Sequence, residues 1–173
     1  VTETPANPTN GLVDLKLWRE AAEWIATQQG GHRAAVGVDN NYLRPVYQKP
    51  LELGADLVMY SLTKYVGGHS DLVAGGVIGP KQLVSPVRSL RSSLGTQLDP
   101  DTSWMIMRSM ETLALRMRAS ADNAARVAGF LAQHPKVSNV NYLGHLKPGD
   151  PRAAVFERQC KSAGSTFSFS IRG

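Results

Sequence analysis

Asp56-Leu57-Val58-Met59-Tyr60-Ser61-Leu62-Thr63-Lys64-Tyr65-Val66-Gly67-Gly68-His69-Ser70-Asp71 passes from a short apolar run into hydroxyls, one lysine and paired glycines. The run at 57–60 has the length of a buried strand, and Gly67-Gly68 marks the turn beyond it. Working upstream, Pro50 opens and Gly54 closes a short helix, and Ala34-Ala35-Val36-Gly37-Val38 is a second short apolar run, followed at once by Asp39. A strand, helix, strand order favours parallel pairing, because parallel strands need a crossover and a helix supplies it. The fold class expected is therefore α/β with a mostly parallel sheet, with Leu72 to Ile78 as a further strand weakened by its glycines.

Farther out, Asp14 caps a predicted amphipathic helix carrying Leu17, Trp18, Ala21, Ala22 and Ile25, ended by Gly30-Gly31. Val1 to Thr4 reads as the tail of an apolar strand with no initiator methionine before it, so a fragment of a longer protein is expected. From Asp101 the period becomes helical as far as Gln133, with Trp104, Met107, Met110, Leu113, Ala114 and Met117 on one face. Val137 to Leu143 then reads as a strand, Pro151 to Ser162 as a helix and Ser165 to Ile171 as a last strand, the start of a small α+β unit. A boundary is placed near residue 101, dividing 1–100 from 101–173.

Of the 173 residues 42% are hydrophobic and the net charge is +5, with no long charged run, so the sequence gives no reason to expect nucleic-acid binding. No apolar stretch approaches the roughly 18 residues of a membrane span, and no membrane partner is expected. The single cysteine, Cys160, has no partner for an internal disulfide, and His32, His69, His134 and His145 are too scattered for metal-ligand spacing. A reducing, cytoplasmic setting without a metal follows as the expectation.

In open α/β sheets ligands bind beyond the carboxyl ends of the strands, which is where Lys64 and Asp39 both fall. A lysine there, partly removed from water, becomes an amine nucleophile that forms a Schiff base with a carbonyl. Ser61 and Thr63 offer hydroxyls for a phosphate, and Gly67-Gly68 allows close backbone approach. Asp39, if ionised against a pyridine nitrogen, keeps that ring protonated and able to withdraw electrons, as pyridoxal phosphate does. The plainer alternatives are a solvated lysine beside a glycine turn, and an Asx turn at Asp39-Asn40-Asn41. His69 is read as a packing or hydrogen-bonding residue and Cys160 as a small core residue.

The order and spacing of Glu3-Thr4-Pro5-Ala6-Asn7-Pro8, Asp39-Asn40 with Pro45, Pro50 to Asp56, Ser61-Leu62-Thr63-Lys64-Tyr65 and Gly68-His69-Ser70-Asp71 resemble the cysteine and methionine metabolism enzymes that use pyridoxal 5'-phosphate. Gly95 to Leu115, with Met110-Glu111-Thr112-Leu113-Ala114-Leu115-Arg116, resembles the family's long helix, and with His134-Pro135-Lys136-Val137 it extends the resemblance over nearly the whole chain. The resemblance implies a fold type I transferase architecture, Lys64 as the Schiff-base lysine, Asp39 as the partner of the ring nitrogen and Ser61 and Thr63 as phosphate ligands. It also implies Asn7 at the cofactor's phenolic oxygen and the substrate carboxylate. Asn41 stands where the family commonly has threonine, and Asp99 where it commonly has serine.

The family's ring-stacking tyrosine and phosphate-binding helix lie upstream of the matched stretch and its carboxylate-binding arginine downstream, so the chain is expected to hold part of a site and to be inactive alone. The complete protein is expected to be a homotetramer, a dimer of dimers, acting on an amino-acid substrate. The activity implied is γ-elimination or γ-replacement on cystathionine, methionine or O-acyl-homoserine, with Lys64 moving protons. The alternatives are a cystathionine β-lyase using the same cofactor groups, and a catalytically silent phosphate-binding module.

Overall fold

The computed structural model describes residues 1–173. Its main sheet has the order β1 (Thr2–Glu3), β2 (Gly37–Asp39), β3 (Leu57–Ser61), β4 (Gly75–Ile78), with the first three strands parallel and β4 antiparallel to β3. Glu3, Asp39 and Met59 lie level with one another across the parallel strands, so the chain leaves three neighbouring carboxyl ends at one edge. The mostly parallel sheet is as expected; β2 and β4 are shorter than the runs that announced them, while β3 extends one residue past its run, to Ser61.

The crossover from β1 to β2 is α1 (Leu15–Gln28), started by Asp14, whose carboxylate accepts from the Lys16 and Leu17 N–H groups at 3.2 and 3.4 Å. Its packing face differs from the expected one. Leu15 and Ala26 are buried and Ala22 packs on the core, whereas Leu17, Trp18 and Ile25 are exposed. From β2 to β3 the chain runs through α2 (Arg44–Tyr47) and a 3₁₀ turn, Pro50–Leu53, which closes at Gly54 with φ +101°. Leu15, Val36, Val38, Ala55, Val58 and Tyr60 form the core between the sheet and these connections.

Beyond β4, α3 (Lys81–Leu94) had no expectation in the sequence. The predicted helix from 101 to 133 is two helices, α4 (Pro100–Met110) and α5 (Leu113–Gln133). The break has an identifiable cause: Arg116 Nη2 donates to the Ser109 carbonyl at 2.7 Å, taking the acceptor that a continuing helix would offer to Leu113. Asp99, one of the two departures from the family pattern, caps α4 by accepting from Thr102 N–H at 2.8 Å, as a serine would. Ile106, Met117, Ala121, Ala124 and Ala128 are the buried members of this stretch, and Trp104, Met107 and Met110 are exposed.

The last segment forms a two-stranded antiparallel sheet of β5 (Val137–Asn141) and β6 (Ser168–Ile171), with α6 (Pro151–Gln159) between them. Both strands and the helix are shorter than expected. Residues 165 and 166 are drawn out of the strand by side-chain and backbone contacts: Ser165 Oγ donates to the Tyr65 hydroxyl at 2.7 Å, and the Thr166 carbonyl accepts from Asn10 Nδ2 at 2.9 Å. A chain of buried amides joins this segment to the first sheet. Gln159 Nε2 donates to the Val13 carbonyl and to Gln48 Oε1, and Gln48 Nε2 donates to the Thr4 carbonyl and to Asn40 Oδ1. No helix is long and apolar enough to cross a membrane.

Candidate active site at the carboxyl ends of the parallel strands

β3 ends at Ser61 and runs directly into a π-helical turn, Leu62–Val66, in which Gly67 N–H donates to the Leu62 carbonyl at 2.7 Å. Such five-residue turns recur at functional sites. Lys64 is in this turn with a non-helical ψ of −114°. It is exposed and its amine makes no hydrogen bond or ion pair within the chain, which differs from the expected partial removal from water. An open cavity of about 1100 Å³ receives Lys64, with Tyr42, Tyr65, Ser70 and Arg116 among its walls.

The turn is held from several sides. Arg116, from the first turn of α5, donates through Nη1 to the Tyr65 carbonyl at 2.6 Å and through Nη2 to the Val66 carbonyl at 3.1 Å. Gly68, at φ +76°, leaves the space this guanidinium needs, since a Cβ there would collide with it. Thr63 Oγ1 donates to the Ala74 carbonyl at 3.2 Å and accepts from Ala74 N–H at 2.9 Å. The Ser61 hydroxyl has no partner within the chain, while Ser61 N–H donates to Asn41 Oδ1. Asn41 thus ties the loop after β2 to the end of β3, a position the sequence marked only as a departure.

Asp39, the last residue of β2, is partly buried, and its Oδ1 accepts from Asn41 N–H at 3.1 Å. Burial pushes its carboxyl above the usual range, opposed by the Asn41 N–H and by the charges of Arg44 and Lys64. Asn7, four residues beyond Glu3, is exposed, and its side chain neighbours the Tyr42 hydroxyl, which in turn lines the cavity of Lys64. The structure therefore brings Asn7, Asp39, Ser61, Thr63 and Lys64 to one edge of the sheet. His69 is exposed, with Nδ1 2.7 Å from the Gly67 carbonyl. Cys160 lies just past α6 with its thiol pushed up to about 12 by burial, unsuited to nucleophilic work. No group of three or more His, Cys, Asp or Glu side chains is arranged to hold a metal ion.

The model of one family, Cys/Met metabolism PLP-dependent enzyme, matches residues 1–173. The chain belongs to that family.

Among its relatives, a probable cystathionine gamma-synthase 2 of Arabidopsis thaliana is 40% identical over 172 residues, 99% of this chain and 40% of the relative. A cystathionine beta-lyase of Lactococcus lactis subsp. cremoris is likewise 40% identical over 171 residues, 98% of this chain and 42% of the relative. Among solved structures, the apo methionine gamma lyase CalE6 of Micromonospora echinospora superposes with a TM-score of 0.88 at 33% identity, covering 99% of this chain and 45% of that one. The α/β architecture is thus that of the fold type I enzymes of this family. The chain spans about 40% of the length of the curated relatives it matches.

The residues present fit the family's cofactor. A carboxylate with one oxygen free of intrachain hydrogen bonds, a lysine amine and a serine hydroxyl without partners all face one strand edge. These are the acceptor, the nucleophile and the donor that a ring nitrogen, an aldehyde and a phosphate require.

Sequence reasoning missed Arg44. Its side chain is fully buried, Nη2 donates to the Ser61 carbonyl at 2.6 Å, and the guanidinium carbon lies 5.7 and 5.5 Å from the ring centres of Tyr60 and Tyr65. Its backbone takes φ +50° directly before Pro45, a conformation costing about 1–3 kcal/mol for such a residue. Nothing in the local sequence announced it, because burial of an arginine depends on rings sixteen and twenty-one positions away.

Proposed function

We propose that the complete protein is a pyridoxal-phosphate-dependent enzyme of sulfur amino-acid metabolism, catalysing γ-elimination or γ-replacement on cystathionine, methionine or an O-acyl-homoserine. The observation carrying this reading is the convergence of Lys64 and Asp39 at adjacent strand ends, close enough for the lysine charge to act on the carboxyl. When bound, pyridoxal phosphate supplies a sink for the electrons left by the bond broken at the substrate α-carbon.

Lys64 would hold the cofactor covalently through its amine and, when that amine is free, would serve as the base that takes a proton from the substrate α-carbon and delivers it farther along. The exposed, unpaired amine on a turn clamped by Arg116 suits both tasks: the backbone is fixed and the side chain is free to move. Asp39 holds a proton on the ring nitrogen by its charge. Ser61 donates its unengaged hydroxyl to the phosphate. The Thr63 hydroxyl has one proton, already given to the Ala74 carbonyl, so Thr63 would hold the phosphate only by giving up that bond and contributes by fixing the turn as well. Asn7 is assigned to the phenolic oxygen and the substrate carboxylate.

The same residues serve β-elimination on cystathionine, and the equal identity to a synthase and a β-lyase keeps this second reading. In the larger assembly, residues 1–100 are assigned to the cofactor-binding domain and 101–173 to the start of the C-terminal one, within a cytoplasmic homotetramer.

The deciding experiment is borohydride reduction of the full-length protein loaded with pyridoxal phosphate, followed by peptide mapping. The label is expected on Lys64 and should disappear in Lys64→Ala. Label on Lys49, Lys81 or any other lysine, or a colourless protein taking no label, overturns the assignment in favour of a silent module. Release of 2-oxobutanoate rather than pyruvate from cystathionine separates γ- from β-elimination.

A further inference from the structure

Arg44 has features that packing alone does not account for. It is completely buried, two of its nitrogens, Nε and Nη1, have no hydrogen-bond partner, and no carboxylate forms an ion pair with it. Buried polar atoms are rarely left so, and an unpaired buried cation points to a role for its charge. The rings of Tyr60 and Tyr65 flank it, an environment that favours a planar cation, and Tyr60 is itself held by Asn40 Nδ2 at 3.3 Å from its hydroxyl. The one hydrogen bond its side chain makes goes to Ser61, the residue from which the Lys64 turn departs.

We propose that Arg44 is a positioning residue of the candidate active site, a permanent buried cation that ties the start of the Lys64 turn to the loop after Asp39 and holds the Asp39 carboxyl ionised. This rests on the reading of Lys64 and Asp39 given above. The groups acting on Asp39 are the Asn41 N–H, Arg44 and Lys64, which favour its charge, with Glu3 level with it on β1 and Tyr42 nearby. Of the two cations, Lys64 would not give a constant charge, because the reading above commits its amine to holding the cofactor and to moving protons. Arg44 stays charged at neutral pH even though burial draws it down to about 10. With no carboxylate paired to it, its field is not cancelled before it reaches Asp39.

The test is the dissociation constant of pyridoxal phosphate, measured against pH by equilibrium binding to the full-length protein, in wild type, Arg44→Gln and Arg44→Lys. Gln removes the charge and leaves a polar amide in its place, while Lys keeps the charge. Removing the cation raises the Asp39 pKa, so the carboxylate is lost sooner as pH falls. The pH at which affinity has dropped tenfold should therefore move up by about one unit in Arg44→Gln. Arg44→Lys should follow wild type. Superimposed wild-type and Gln profiles, or a Lys profile displaced as far as the Gln one, overturn the proposal. Should Arg44→Gln fail to fold, Arg44→Lys decides alone, since a displaced profile or an unfolded protein there is equally fatal. Borohydride mapping of wild type is read separately: label away from Lys64 overturns the underlying function, whereas label on Lys64 with unmoved profiles overturns the role of Arg44 only.

Discussion

Arg116 Nη1 donates to the carbonyl of Tyr65 at 2.6 Å, and Tyr65 is the residue that follows Lys64. The same guanidinium reaches Val66 and Ser109 and, through Nε, Thr112 Oγ1 at 3.0 Å. One side chain therefore ends α4, starts α5 and fixes the backbone of the lysine turn.

Gly68→Ala and Arg116→Met are expected to report one defect. The first pushes the guanidinium out of place, and the second strips hydrogen bonds from three part-buried carbonyls, each change costing about 2–3 kcal/mol. Because both act through the same contact, the double variant should lose clearly less stability than the two losses added. Denaturant midpoints of the four proteins give the coupling, and strict additivity would show that the clamp is not shared.

Ser61→Ala and Thr63→Ala should separate, because only one of the two hydroxyls is already engaged. Ser61→Ala is expected to weaken pyridoxal phosphate binding roughly tenfold with little effect on unfolding, the value of a hydrogen bond to a charged group. Thr63→Ala removes both bonds to Ala74 and should lower stability by about 1 kcal/mol. Titrating cofactor into both variants, alongside thermal melts, checks the division. Equal losses of affinity would count against it.

Asp56 supplies a pH dependence of stability. Its carboxylate accepts from Arg33 at 2.6 and 2.8 Å and from Val36 N–H at 2.8 Å, with Arg19 at 3.3 Å, and the Arg33 hydrogen bonds chiefly hold it down at about 2, against an ordinary 3.8. The folded state thus favours the ionised form. The stabilisation is fully present above the unfolded value and is lost as pH falls through 3.8 towards 2, a change of roughly 2 kcal/mol. Urea unfolding of Asp56→Asn should show that loss at neutral pH already and a flatter profile between pH 5 and 2 than wild type; parallel profiles would refute the assignment.

The sequence was most informative where chemistry and backbone coincide. The apolar runs before Asp39 and Lys64 could be recognised because short buried strands must be apolar, and the glycines of 67–68 because the turn needs φ above zero at Gly68. The helix α3 was hidden by Pro86 in its interior; none of its residues is buried, and Val87, Leu90 and Leu94 stand exposed. The exposed stripe of Leu17, Trp18 and Ile25 misled because periodicity shows that a face is apolar without showing which side packs. The break at 111–112 carries no proline or glycine; it depends on where Arg116 reaches, and that is decided in three dimensions.

The buried amides that join the two sheets bear on how the chain is made. Asn10 finds its acceptors at Asn141 and Thr166, and Gln48 meets Gln159, so the partners are separated by 131, 156 and 111 positions. During synthesis at about 5–20 residues per second, the first sheet emerges with these amides unmet for roughly 5 to 30 s. Until the partners arrive, water has to serve them. The nascent β1–β3 unit is therefore wetter along that seam than in the finished protein, and its last step of ordering waits on the ribosome.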